Sequence, residues 1–186
     1  MIKKLQYTLL ISIISIFIIG CKNSEKEPVK QNENNIDTKD TSLDKLETEA
    51  SRLRAGGSVK NVAFNDGNAI ITYVKDYSEY KKLNPQSSLT ENDLENYWEN
   101  GSAIEKALID GSVKIMTKLD FINSVEIILP YKNKTYSITV SKEELEKFTN
   151  SDFNQIKSDL EHNFSNLYVY DKEGRKKFFN KFGKIE

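Results

Sequence analysis

The stretch Val125-Glu-Ile-Ile-Leu-Pro-Tyr131, followed after a Lys-Asn turn by Lys134-Thr-Tyr-Ser-Ile-Thr-Val140, decides the fold class of this chain. In the second run Tyr136, Ile138 and Val140 share one face, and Thr and Ser residues occupy the other. Such strict alternation is typical of an antiparallel strand with one buried and one solvated face. The two runs and their short turn therefore predict a β-hairpin.

A second hairpin is predicted closer to the N-terminus. A strand-like run over residues 59–64 and an apolar run over residues 69–75 flank the sequence Asn65-Asp-Gly-Asn68. An Asp-Gly pair between two β-prone runs favours a tight turn, because both central residues of that turn adopt positive φ. Residues 69–75 are apolar on both faces, which favours a central strand.

Apolar side chains recur at helical spacing between the two hairpins. Thr90 is a favourable N-cap for a helix that carries Leu94 and Trp98 on one face. Because glycine disfavours helix interiors, we expect Gly101 to break or kink this helix and Gly111 to end its second half, although the amphipathic pattern continues to about Lys118.

More helices are predicted after the second hairpin. Ser141-Lys-Glu-Glu144 is a capping box, and Ser151-Asp152 opens a further amphipathic run. The strands are grouped in sequence and the helices are segregated from them. This order predicts a single α+β domain over residues 58–186, with a small antiparallel sheet of two hairpins and helices packed on one face.

The composition excludes several functional classes. The 186 residues include 27 Lys and Arg against 28 Asp and Glu, so the formal charge is −1. Dedicated nucleic-acid-binding proteins carry a strongly basic surface, and we therefore expect no nucleic-acid partner. One Cys and one His exclude an internal disulfide framework and a metal site built from several Cys or His ligands. We expect no cofactor.

The N-terminal segment has the pattern of a processing signal. Lys3 and Lys4 precede eleven uncharged, mostly apolar residues over positions 9–19. A helix of that length measures about 16 Å, roughly half of the hydrocarbon core of a bilayer. The segment ends in Ile18-Ile19-Gly20-Cys21, which resembles the lipobox of bacterial lipoproteins.

This resemblance implies a lipid anchor on the extracytoplasmic side, at the cell surface or in the periplasm. In that family the Cys thiol receives a diacylglycerol and signal peptidase II cuts before it. Residues 1–20 would thus be the signal peptide, with Gly20 the last residue removed and Cys21 the lipidated N-terminus. The diacylglycerol and an amide-linked chain such as palmitate would attach the protein stably, at ~0.8 kcal/mol per buried CH₂. The alternative is an uncleaved membrane helix with a buried free Cys.

Residues 21–57 are predicted to connect the anchor to the domain. Residues 22–41 are polar and lack apolar periodicity, which is typical of flexible chain. An apolar stripe at helical spacing follows in residues 42–54: Leu43, Leu46, Ala50 and Leu53. It favours a short helix, but so narrow a stripe does not decide whether the helix docks on the domain.

Familiar catalytic motifs are absent from the sequence. It contains no nucleophile elbow, no phosphate-binding glycine loop and no zinc-binding His-Glu-x-x-His. His162 has Asp159 and Glu161 nearby on the same predicted helix, but adjacent helix positions do not face each other, and a solvated histidine is the simpler interpretation. Glu95 and Glu99 lie one helical turn apart, as the paired carboxylates of a hydrolase could, although a solvated helix face explains them as well. We expect no enzymatic activity.

Aromatic residues give the more informative candidates. Tyr and Trp are enriched at interfaces, and Tyr77 and Tyr80 lie just before the Trp98 helix, so they are the candidate partner-binding residues. The basic, aromatic residues 175–182 either dock their Phe side chains on the domain or rest on anionic lipid.

The sequence as a whole predicts a membrane-anchored cell-envelope lipoprotein that acts as a binding module. Its partner would be another envelope protein, a peptide or a glycan. One alternative is an immunity or inhibitor lipoprotein that neutralises a toxin at the membrane surface. Another is a cell-wall hydrolase that uses paired carboxylates.

Overall fold

Two β-hairpins lie side by side in a five-stranded sheet with strand order β1-β2-β3-β4-β5. The computed structural model describes residues 34–100 and 102–186, with side chains described from residue 41 onward. The strands are β1 (Val59–Asn65), β2 (Asn68–Tyr73), β3 (Ser124–Tyr131), β4 (Lys134–Ser141) and β5 (Gly183–Ile185). The predicted α+β fold class is confirmed.

Both predicted hairpins form, and their turns explain why. Asp66 and Gly67 have φ values of 46° and 81°, and Lys132 and Asn133 have φ values of 47° and 60°. Two consecutive positive φ values are the signature of a tight hairpin turn whose twist matches that of the strands. Local turn chemistry therefore fixes the pairing of β1 with β2 and of β3 with β4.

The two hairpins join through a parallel pair, and the sheet is therefore mixed. Ala69 lies opposite Val125 and Ile71 opposite Ile127 in the parallel register of β2 and β3. The expectation of a wholly antiparallel sheet is wrong at this point. Parallel neighbours require a long crossover connection, and the helical segment between β2 and β3 supplies one. β5, a short edge strand that pairs antiparallel with β4, is an addition to the predicted hairpins.

Helices account for most of the remaining described chain. They are α1 (Asn34–Ser51), α2 (Tyr77–Leu83), α3 (Glu91–Glu99), α4 (Ala103–Lys118), α5 (Lys142–Thr149), α6 (Phe153–Ser158), a π-helix (Glu161–Tyr170) and α7 (Lys172–Phe182). Thr90 and Ser141 cap α3 and α5 as predicted, each accepting a hydrogen bond from the backbone N–H three residues on. Because α3 ends at Glu99 and α4 begins at Ala103, the predicted break falls where expected, while Gly101 itself lies outside the described residues.

Gly111 does not end a helix but lies inside α4. A Cβ atom at this position would approach Ile127 Cδ1 to 2.9 Å and Leu53 Cδ1 to 3.4 Å. Glycine is therefore present because α4 crosses β3 closely, and the cost of glycine in a helix interior is offset by packing. The expectation that Gly111 terminates the helix is wrong for this reason.

The core lies on one face of the sheet. Ala69, Ile71 and Tyr73 of β2 are buried, whereas Ile70 between them is 38% exposed. The same alternation buries Val125, Ile127 and Leu129 of β3, and α4 packs against β3 and β4 on this side. One face of the sheet thus carries the helices, as predicted from the alternating pattern.

The N-terminal helix α1 belongs to this core. Leu46, Ala50 and Leu53 are buried in the same apolar cluster as the strands and α4. The short helix predicted over residues 42–54 therefore docks on the domain. Residues 34–41, predicted to be flexible tether, form the beginning of α1, and the predicted domain start at residue 58 is too late.

The predicted signal peptide, Gly20 and Cys21 with the lipobox, and tether residues 22–33 lie outside the described residues. Within the described ranges, none of the helices combines the length and apolar character needed to cross a bilayer.

The place of α1 in the core can be tested by Leu46→Ala. We expect this substitution to lower the free energy of unfolding by about 2–5 kcal/mol, because it leaves a cavity beneath α1. The exposed neighbour provides the control, since Lys45→Ala should change stability by less than about 0.5 kcal/mol. Chemical denaturation of both variants measures the difference. Equal stabilities would show that α1 does not cover the core.

Candidate functional site

A groove of about 530 Å³ opens at the carboxyl ends of the parallel strands β2 and β3. Ligand sites in sheets with parallel strands commonly lie in the crevice beyond those ends, where the connections diverge. The groove is lined by Val74, Lys75, Asp76, Tyr77, Glu91, Leu94, Glu95, Trp98, Pro130, Tyr131, Lys132, Asn133, Lys134 and Thr135. Four other cavities in the described part of the chain measure about 210 to 500 Å³.

The segment that follows β2 enters α2 at Asp76. This residue is the N-cap of α2, and its carboxylate accepts a hydrogen bond of 2.9 Å from the backbone N–H of Glu79. Glu79 also pairs with Lys60 at 2.7 Å, which ties the start of α2 to β1. These local contacts hold Lys75 and Tyr77 at the mouth of the groove.

Helix α3 supplies a further side of the groove through Leu94 and Trp98. Trp98 is only 6% exposed and makes edge-to-face contacts with Tyr73 and Tyr97, at centroid distances of 5.7 and 4.8 Å. Its position on the same buried stripe as Leu94 agrees with the packing expected from the helical pattern. Trp98 is therefore enclosed by protein and exposes little of its ring to the groove.

The two candidate tyrosines have different environments. Tyr77 is half-buried, lines the groove, and donates a hydrogen bond of 3.1 Å to the carbonyl of Leu89. Tyr80 is 8% exposed, and its hydroxyl lies 2.9 Å from Ser87 Oγ. Tyr80, a candidate partner-binding residue from the sequence, is thus turned towards the core by α2, and of the two candidates only Tyr77 lines the groove.

The β3–β4 turn closes one end of the groove by contacting α3. The Tyr131 hydroxyl donates towards Glu99 Oε1 at 3.3 Å and towards the Glu95 carbonyl at 3.4 Å, and Lys132 forms an ion pair with Glu99. The hydrogen bond and charge of Lys132 lower the pKa of Glu99 and, reciprocally, Glu99 raises the pKa of Lys132. A glycosidase acid requires a raised pKa, and Glu99 has the opposite environment.

The histidine stands apart from the groove. His162 is exposed, and its Nδ1 lies 2.9 Å from Asp159 Oδ2. In the described part of the chain no group of three or more His, Cys, Asp or Glu side chains is arranged to hold a metal ion.

The basic C-terminal segment docks on the domain. Phe178, Phe179 and Phe182 are buried in the core, and Lys176, Lys177 and Lys181 remain exposed. Arg175 is also buried, pairing with Glu105 at 3.2 Å and donating to the carbonyl of Val169 at 2.9 Å. Its guanidinium thereby satisfies backbone carbonyls at the end of the π-helix.

The turn residues Pro130–Thr135 were missed as site residues by sequence reasoning. In the sequence, Tyr131 and Lys132 were identified only as the end of a strand and the start of its turn. The sequence shows there an apolar strand followed directly by one aromatic and three polar residues. This pattern is too common in proteins to identify a binding site.

No protein-family model matches the chain, and no curated protein or solved structure resembles it significantly.

Proposed function

We propose that this protein is a lipid-anchored binding module of the cell envelope and that its groove receives an extended peptide segment of a partner protein. The observation that supports this proposal is the mixed charge of an open groove. Helix α3 contributes Glu91 and Glu95, and the β3–β4 turn contributes Lys132 and Lys134.

Several of these charges have no salt-bridge partner among the described residues. Glu91, Glu95 and Lys134 are exposed, and none of them forms a salt bridge in the described ranges. A peptide offers amides along its length and charges of both signs, so it can complement both sides of such a groove. Complementary charges at the rim of an interface favour correct encounter and register.

The aromatic residues favour a peptide over a glycan. Glycan recognition commonly uses an open aromatic face on which a sugar ring stacks. Trp98 is covered by Tyr73 and Tyr97, and Tyr77 stacks against Tyr80 with ring centroids 6.3 Å apart. Trp98 therefore presents no open ring face to a sugar, whereas the charged residues of the groove can pair with the side chains of a peptide.

The anchor is proposed from the lipobox-like sequence ending at Cys21. Because α1 begins at Asn34, about a dozen residues would separate the lipid from the folded part. Even a fully extended chain of that length reaches only about 40 Å. The groove would thus be held close to the membrane, within reach of membrane-associated partners.

Replacing Cys21 tests the anchor. We expect Cys21→Ala to abolish incorporation of a radiolabelled fatty acid and to leave the precursor uncut, because the thiol is the acyl acceptor. Ser24→Ala, three residues further on, is the control and should label like the parent. Equal labelling of the Cys21→Ala protein would contradict the lipoprotein assignment.

Peptide selection tests the groove. A random peptide library displayed on phage would be panned against the full chain in neutral detergent micelles. We expect enriched peptides to carry both acidic and basic residues and to bind at least about tenfold more weakly to Lys134→Glu and to Glu95→Lys, a loss of about 1.4 kcal/mol.

The matched control is Lys82→Glu, an exposed charge reversal on α2 outside the groove, which should leave binding unchanged. The proposal is wrong if the selection gives no peptide above background. It is equally wrong if enriched peptides bind the groove variants as tightly as the parent.

A further inference from the structure

A second pocket differs from the groove in the chemistry of its lining, which consists of hydrogen-bond donors and cations. It measures about 280 Å³ and is bounded by Arg54, Tyr97, Asn100, Ala103 and Lys106. The lining includes a guanidinium, an ammonium, a carboxamide and a phenol, but no carboxylate. This chemistry differs from that of the groove, where Glu91, Glu95 and Asp76 offset the lysines.

Arg54 is held in place by contacts with Asp110 and Tyr170, with which it also lines a neighbouring cavity. Its Nε donates to Asp110 Oδ2 at 3.2 Å and its Nη2 donates to the Tyr170 hydroxyl at 3.0 Å. The backbone carbonyl of Arg54 accepts a hydrogen bond of 2.8 Å from Tyr73, whose ring is buried. The guanidinium is therefore oriented before any ligand arrives.

Donor capacity remains free at this position. In the described part of the chain Arg54 Nη1 makes no hydrogen bond, and Lys106 forms no salt bridge. Asp110 offsets part of the Arg54 charge, but it does not line this pocket. Lys106 has no comparable carboxylate partner among the described residues. The two cations thus leave an excess of positive charge at the pocket.

We propose that this pocket binds a phosphate group. A preoriented guanidinium suits tetrahedral oxyanions, and a phosphate offers more acceptor oxygens than a carboxylate for the four donor side chains. The phosphate belongs either to a soluble phosphate ester or to the headgroup of an anionic phospholipid. This inference is independent of the peptide groove.

The test is a titration followed by amide chemical shifts of the full chain in neutral detergent micelles. One arm adds sodium phosphate at constant ionic strength maintained with sodium chloride, which separates specific binding from screening. The other adds dihexanoyl phosphatidylglycerol, with dihexanoyl phosphatidylcholine as the net-neutral control.

We expect saturable shifts at Asn100, Ala103 and Lys106 in at least one arm, and that arm identifies the source of the phosphate. Lys106→Gln should weaken binding at least fivefold. Lys114→Gln, two turns further along α4 and outside the pocket, should not weaken it.

Three results overturn the proposal. They are the absence of saturable shifts in both arms, shifts spread over all surface lysines, and equal weakening by Lys106→Gln and Lys114→Gln. Because both substitutions remove a surface charge from the same helix, they separate a site on the protein from general attraction of anions.

Discussion

The close approach of α4 to β3 at Gly111 is the contact on which the remaining structure depends. A methyl group there would meet Ile127 and Leu53 at once, so α4, the sheet and the segment after α1 converge on this position. The contact allows the long crossover between β2 and β3 to lie flat against the sheet. It also explains why the N-terminal helix is part of the core, since Leu53 fills the space beside the glycine.

The crossover places the groove. Because β2 and β3 run parallel, their carboxyl ends reach the same edge of the sheet, and the chain leaves that edge in two directions. After β2 it enters α2, and after β3 it turns back into β4. The space between these exits becomes the groove, with α3 as its remaining side. An antiparallel arrangement of these strands would have separated Tyr77 from the β3–β4 turn.

Local features of the fold could be predicted, and features that join distant segments could not. The Asp66-Gly67 and Lys132-Asn133 turns and the caps at Thr90 and Ser141 depend on neighbouring residues, and the sequence identifies them. The parallel junction of the hairpins pairs Ala69 with Val125, which are more than fifty positions apart, and depends on how the helical segment between them packs on the sheet. Tyr77 and Tyr80 lie three residues apart on one short helix, and this spacing does not reveal which of them faces the core.

In the candidate site, too, local features could be predicted from the sequence and contacts between distant segments could not. Trp98 and Leu94 could be placed on a buried stripe from their spacing, and Tyr77 could be nominated as an interface residue. The contact of Tyr131 with Glu99 joins elements more than thirty residues apart and left no local signal. Arg54 could likewise not be identified as a site residue from the sequence, because its partners Asp110 and Tyr170 come from two helices distant along the chain.

The most direct test of this account is a measurement of nuclear Overhauser effects between β2 and β3. The parallel register predicts backbone contacts that connect Ala69 with Val125 and Ile71 with Ile127. These contacts would establish the common strand edge at which the groove opens. Contacts that instead connect Ala69 with Leu129 and Tyr73 with Val125 would indicate antiparallel strands, and they would contradict both the fold and the position of the site.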